Sequence, residues 1–200
     1  MREQVKNRID DVVGMIYADG IVTSFPTSSM LLLPYMTNCR YKTYRDMAER
    51  HGVSVQDIAR YLESRDGCTI YQESRDRYLI AVNTDQLFAR LRWTAAHEFG
   101  HILAGHFLDL GVSKLPKTQV LEEEADYFAA SFLAPLAMIR ELRVSNPREL
   151  QERFGLSRTA AVWRWEEYQR SWFYSKPSVR TASTVRMPDI WPDEDERCAL

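Results

Sequence analysis

The sequence predicts an α+β fold that is mainly helical, with a small antiparallel sheet ahead of one central helix and a helical C-terminal segment behind it. Three observations carry this. Apolar residues recur at three- and four-residue spacing over most of the chain, as amphipathic helices require. Two short runs, 68–72 and 78–82, are instead rich in β-branched and aromatic residues, with a polar turn from Glu73 to Arg77 between them. Glycine, proline and serine punctuate the helical stretches where starts and stops are needed.

Residues 2–18 read as a helix with Val5, Ile9, Val12, Val13 and Ile16 on one stripe, stopped by Gly20. Residues 20–40 hold Pro26, Pro34 and a Ser/Thr cluster and read as loop. Residues 43–51 form a helix that ends at Gly52, and Ser54 caps a second helix, 55–64. Helix, Gly-Val-Ser and helix in succession resemble a helix-turn-helix in outline, but the mixed charge favours two packed scaffold helices. Asp66-Gly67 then opens the hairpin. One helix follows around His97, and another begins near Leu121 with Ala125, Phe128, Ala129 and Phe132 at helical spacing.

After Pro135 the composition shifts: from Arg140 to Arg186 there are ten Arg/Lys against five Glu. Residues 148–162 again read helix, glycine turn, serine cap, helix. A recognition surface for nucleic acid would suit such a basic stretch. A scaffold pair packing Leu150, Phe154, Val162 and Trp165 is the reading favoured over it, so direct nucleic-acid binding stays open as the less favoured alternative. Residues 176–200 have three prolines and the acidic run Asp193 to Glu196, and are expected to be poorly ordered or loosely docked, with Trp191 as a local anchor. The expected organisation is one domain over 1–139, a helical segment over 140–175 and an acidic tail over 176–200.

The bulk properties exclude several classes. A net charge of −2 gives no long-range pull towards nucleic acid. No apolar run approaches the length of a bilayer span, and Met30-Leu31-Leu32-Leu33 stops at Pro34. The N-terminus is charged rather than an apolar secretion signal. Cys39, Cys68 and Cys198 are odd in number and widely spaced, and read as free thiols in a reducing, cytoplasmic setting.

Against this background His97-Glu98-Phe99-Gly100-His101 stands out as an HExxH motif. Histidines four apart share one helix face, where two neutral imidazoles suit a tetrahedral Zn²⁺ ion. Glu98 is rotated by about 100° from His97, so it can take a proton from water beside the metal without being a ligand. Thr94-Ala95-Ala96 before the motif and Ile102-Leu103-Ala104 after it imply burial, and buried imidazoles need partners. A catalytic zinc keeps three protein ligands and one open position, so a further ligand is needed. Glu122, Glu123 and Glu124 are successive candidates about 100° apart on their helix. Only Glu122 has a carboxylate four residues on, Asp126. His106 is the other candidate, but it lies five residues after His101 and position 104 is alanine, so the metzincin spacing fails.

The stretch Arg90-Leu91-Arg92-Trp93-Thr94-Ala95-Ala96-His97-Glu98-Phe99-Gly100-His101, with Glu122 to Pro135, resembles the ImmA/IrrE family of metallo-endopeptidases. Trp93, where phenylalanine is usual, and Ala134, where methionine is common, are mild departures. The resemblance extends more weakly over about residues 40–170. It implies a zincin-like metallopeptidase domain over 1–139, a helix-turn-helix-like segment over 140–175, His97, His101 and Glu122 as metal ligands, Glu98 as general base, and Asp126 supporting a ligand histidine as in gluzincins. The metal is expected to be Zn²⁺, with Mn²⁺ or Fe²⁺ also acceptable to this donor set. The hairpin ahead of the motif would supply a strand edge to which a substrate peptide could add. Tyr127, His106 and Tyr71 are candidates to stabilise an oxyanion. The resemblance also implies the substrate, a helix-turn-helix transcriptional repressor of the kind encoded by mobile elements and prophages. Two other classes are a non-proteolytic metal-binding regulator with a structural zinc and a toxin-like hydrolase acting on something other than protein. Glu98→Gln separates the regulator from an enzyme, because Glu98 has no chemistry to do in a structural site.

Overall fold

Helix α1 (Glu3–Ala18) buries Val5, Ile9, Val12, Val13 and Ile16, the stripe marked out by its periodicity. The structure, a computed structural model, describes residues 1–174. The expectations for the 176–200 tail, Trp191 and Cys198 included, lie outside the described residues.

Strand β1 (Cys39–Thr43) follows, and leads straight into helix α2 (Tyr44–His51). Thr43 caps that helix by accepting from the Asp46 N–H, while the Asp46 side chain accepts from the Thr43 N–H. Gly52, at φ 64°, ends it in the left-handed conformation that glycine adopts without strain. Ser54 and Asp57 repeat the reciprocal cap on α3 (Val55–Tyr61), which stops short of the expected residue 64. Tyr44, Ala48, Ile58 and Leu62 of this helix pair form a small core against Ala81 of the sheet.

Strands β2 (Gly67–Gln72) and β3 (Arg77–Val82) form the antiparallel hairpin that the sequence predicts, in register from Gly67↔Val82 to Gln72↔Arg77. The sheet is larger than the hairpin. β1 pairs in parallel with β3, from Cys39↔Tyr78 to Thr43↔Val82, so the order is β1-β3-β2 and the sheet is mixed. Where the sequence reads as loop running into helix, the chain makes a strand. Its residues Cys-Arg-Tyr-Lys-Thr alternate as a half-buried strand does, but over only five positions, and its partner lies far along the chain, so the local signal is weak.

Helix α4 (Phe88–Leu103) carries the HExxH segment through the middle of the molecule. Gly105, at φ 78°, turns the chain into the short α5 (His106–Leu110). Helix α6 (Gln119–Leu133) lies against α4, with Ala125, Phe128, Ala129, Phe132 and Leu133 fully buried. A Cβ on Gly100 would lie 3.0 Å from the Ala125 carbonyl oxygen and 3.0 Å from Phe128 Cβ, so glycine there lets the two helices approach closely.

Helices α7 (Leu136–Glu141), α8 (Pro147–Phe154) and α9 (Arg158–Tyr174) complete the described chain. Leu150 and Phe154 are buried in the same core as α1, α4 and α6, with Leu156 and Ala161, while Trp165 packs at its margin. Val162 is half-buried, and its neighbour Ala161 takes the interior position. Arg92 fastens this region from inside: Nε donates to Thr27 O at 2.7 Å, and Nη1 to Phe154 O and Gly155 O at 2.9 and 2.8 Å. Among the described residues no helix is long and apolar enough to cross a membrane.

Candidate metal centre

α4 presents His97, Glu98 and His101, and α6 presents Glu122 and Asp126. His97 Nε2 lies 3.1 Å from His101 Nε2 and 3.3 Å from Glu122 Oε2, and His101 Nε2 lies 3.9 Å from Glu122 Oε1. Ligands about 2.05 Å from a tetrahedral zinc stand about 3.3 Å apart; the His97–His101 and His97–Glu122 sides of this triangle match that edge, and the His101–Glu122 side, to the other carboxylate oxygen, is longer at 3.9 Å. Two imidazoles and one carboxylate also fit zinc chemically, so these residues could hold such an ion.

The neighbouring glutamates face elsewhere, as successive 100° steps around a helix require. Glu123 accepts from the Met1 amino group at 3.2 Å and from Gln119 at 2.8 Å. Glu124 is fully buried and bonded to Arg2 and His106. His106 stands behind His101, its Nδ1 2.9 Å from His101 Nδ1, and is not among the three converging donors.

Asp126 Oδ1 is 2.8 Å from His97 Nδ1 and also accepts from the Trp93 indole N–H at 3.1 Å. Tryptophan at position 93 thus supplies a donor that phenylalanine lacks. Burial disfavours a charged His97 ring, but bonds to Asp126 and Glu122 and the nearby Glu98 charge outweigh it and raise the imidazole to about 10. That ring holds a proton which a metal would have to displace. Burial, with the like charges that His97 and His106 carry when protonated, instead takes His101 down to about 2, so its ring is neutral.

Glu98 is buried beside the triangle. Burial pushes its carboxyl up to about 7, opposed by the charge on His97 and by the Thr69 hydroxyl, which donates to Oε2 at 2.8 Å. A carboxyl near neutrality is suited to both accepting and returning a proton. Thr69 comes from β2, so the hairpin positions the carboxylate as well as flanking it.

The three candidates for oxyanion stabilisation are engaged elsewhere. Tyr127 donates to Asp10 at 2.7 Å, Tyr71 donates to Asp76 at 2.7 Å, and His106 is buried behind His101. Thr69, Trp93 and the Glu124–Arg2 pair are contributors that sequence reasoning missed. Thr69 carries no signal beyond strand propensity, and Arg2 lies 122 positions from its partner.

The site opens into a cleft of about 1270 Å³. Thr69 and Leu115 lie on one side and α9 supplies another wall through Thr159, Trp163 and Arg170. The sequence places α8 and α9 beneath the site as scaffold; α9 also borders it. β2 lies at the sheet edge next to the cleft, but this edge is partly taken. Tyr71 N–H donates to Ser113 O at 2.8 Å, and Ile70 pairs with Lys114 in an antiparallel bridge.

A protein-family model described as the IrrE N-terminal-like domain, of the peptidase M78 type, matches residues 48–166. That span contains α4, α6 and every residue of the converging triangle. No curated protein matches the chain at a significant level.

Proposed function

The chain belongs to the M78 peptidase family of metallopeptidases, and from that premise we propose that it is a zinc-dependent endopeptidase in which His97, His101 and Glu122 hold the metal, Glu98 is the general acid and base, and Asp126 orients His97. The observation that carries this reading is the convergence of two imidazole nitrogens and one carboxylate within 4.8 Å of one another, with a buried carboxyl alongside.

A zinc ion held by His97, His101 and Glu122 would supply Lewis acidity, polarising a carbonyl and lowering the pKa of water towards about 7. Glu98 accepts the water proton at its carboxylate and returns it to the leaving amine. Thr69 keeps that carboxylate aimed into the cleft through the bond to Oε2. Asp126 accepts from His97 Nδ1–H, which leaves Nε2 facing the triangle. A substrate chain would lie in the cleft between the β2 side and α9, with the main-chain groups around Thr69 as its strand partner.

The substrate we favour is a helix-turn-helix transcriptional repressor, which follows from the ImmA/IrrE resemblance of residues 90–101 and 122–135. A cytoplasmic setting suits Cys39 and Cys68, both free thiols. The test is metal analysis of purified wild type and Glu98→Gln, with each incubated with a repressor encoded beside its gene and the fragments read by mass spectrometry. Glu98→Gln should retain its zinc and cleave at least about a hundredfold more slowly. Full function in Glu98→Gln would instead identify a structural metal in a non-proteolytic regulator.

A further inference from the structure

Behind His101 runs a buried polar chain that the mechanism above does not use. His101 Nδ1 is 2.9 Å from His106 Nδ1, and His106 Nε2 is 3.1 Å from Glu124 Oε2. Glu124 Oε1 accepts from the Arg2 backbone N–H at 2.8 Å and from Arg2 Nε at 3.0 Å, while Oε2 accepts from Nη2 at 2.8 Å. The side chains of His106 and Glu124 are both 0% exposed. They come from different elements, α5 and α6, and Arg2 from the segment ahead of α1.

Gly105 makes this meeting possible. Continued helix would place residue 106 about 140° around the axis from His101. The left-handed turn at Gly105 instead folds His106 back under the ligand ring.

With Glu124 ionised and His106 neutral, the contacts admit one arrangement of hydrogens. An ionised Glu124 only accepts, so His106 Nε2 must carry a hydrogen. A neutral His106 then has a bare Nδ1, which accepts, so His101 Nδ1 must carry its own hydrogen. The lone pair of His101 is left on Nε2, the atom facing His97 and Glu122. Apolar residues packed in place of such a buried network are often as stable or more so, so stability alone gives little reason for it.

We propose that His106, held by Glu124 and Arg2, is a positioning residue that fixes the tautomer and ring orientation of His101 for metal binding through Nε2. The assignment rests on the metal-centre reading given above. It gives the two ligand histidines separate supports, Asp126 for His97 and a histidine–carboxylate relay for His101.

The test measures the zinc dissociation constant by chelator competition, with the melting temperature of the metal-free protein alongside, in full-length wild type, His106→Leu, His106→Asn and Glu124→Gln. His106→Leu removes the acceptor and should weaken zinc binding about tenfold or more. In His106→Asn the side-chain oxygen replaces Nδ1 as acceptor, so zinc affinity should stay within about threefold of wild type. In Glu124→Gln, Arg2 claims the amide oxygen and the NH₂ faces His106, which reverses the tautomers and should also weaken binding about tenfold or more. Less than tenfold loss in His106→Leu, or equal loss in His106→Asn, overturns the proposal, as does a pattern in which the variants lower only the melting temperature. If His106→Leu does not fold, Glu124→Gln decides by the same threshold. Wild type that binds no zinc would remove the metal-centre reading itself, a result distinct from any ordering among the variants.

Discussion

Gly100→Ala tests whether the close approach of α4 and α6 builds the metal centre. The added Cβ would meet Ala125 O at 3.0 Å, Phe128 Cβ at 3.0 Å and Ala125 Cα at 3.2 Å. Carbon contacts relax only beyond about 3.5 Å, so α6 must retreat by about 0.5 Å at this point. Two of the three obstructing atoms are backbone, which cannot rotate aside. Alanine gains about 1 kcal/mol over glycine in a helix interior. Forcing a packed interface apart costs about 1–3 kcal/mol. The metal-free variant should therefore lose between about 0 and 2 kcal/mol, the difference between those effects. The effect on the site should be larger. Glu122 lies one turn before Ala125 on the same helix, and metal distances tolerate shifts of only about 0.2 Å. Zinc affinity should fall about tenfold or more, the scale on which loss of ligand support is felt. Urea unfolding of the metal-free protein and chelator competition measure the two quantities separately. A variant about 1 kcal/mol more stable than wild type, with zinc affinity unchanged, would show that propensity wins and that the helix spacing does not set the triangle.

Other consequences can be measured in the same way. Trp93→Phe removes the indole donor 3.1 Å from Asp126, and zinc affinity should fall by about two- to tenfold, the worth of one hydrogen bond; unchanged affinity would remove Trp93 from the support of His97. Thr69→Val deletes the hydroxyl that aims Glu98 and should lower kcat about tenfold with zinc affinity intact, whereas a loss of zinc would mean that Thr69 shapes the ligands instead. Arg2→Ala strips Glu124 of its cation and should destabilise the protein by about 1–3 kcal/mol at pH 7. Burial pushes the Glu124 carboxyl up, but its bonds to Arg2 prevail and hold it below its ordinary range. A depressed carboxyl contributes stability above its unfolded pKa and loses it as pH falls through the folded one. The gap between wild type and Arg2→Ala should therefore shrink below about pH 4.3 in urea titrations, and a constant gap down to pH 2.5 would refute the pairing.

The sequence was most informative where one element sufficed. The spacing of His97 and His101, the stripe of α1 and the Ser54 cap depend on residues within a turn or two of each other. The choice among Glu122, Glu123 and Glu124 needed the rotation of α6 against α4, which is a tertiary quantity. β1 was hidden because its alternation, with Cys39 buried, Tyr41 and Thr43 half-buried and Arg40 and Lys42 exposed, spans only five residues, and its partner β3 lies on the far side of α2 and α3. His106 reads as a helix-end histidine in the sequence. Its place beneath His101 depends on the backbone turn at Gly105 and on a carboxylate eighteen residues on. Local pattern thus exposes chemical groups, while the contacts that orient them come from distant parts of the chain.

Ser113 and Lys114 seated along β2 limit what an incoming polypeptide can grip. A fully bare strand border would accept almost any extended chain by its backbone alone, including nascent or damaged proteins and the exposed borders of neighbouring molecules. With Ile70 and Tyr71 already occupied, fewer main-chain groups are left for such adhesion, and side chains would carry more of the choice of client. Fastidiousness of this kind arises by subtraction, and it lets a hydrolytic centre sit among folded proteins without consuming them.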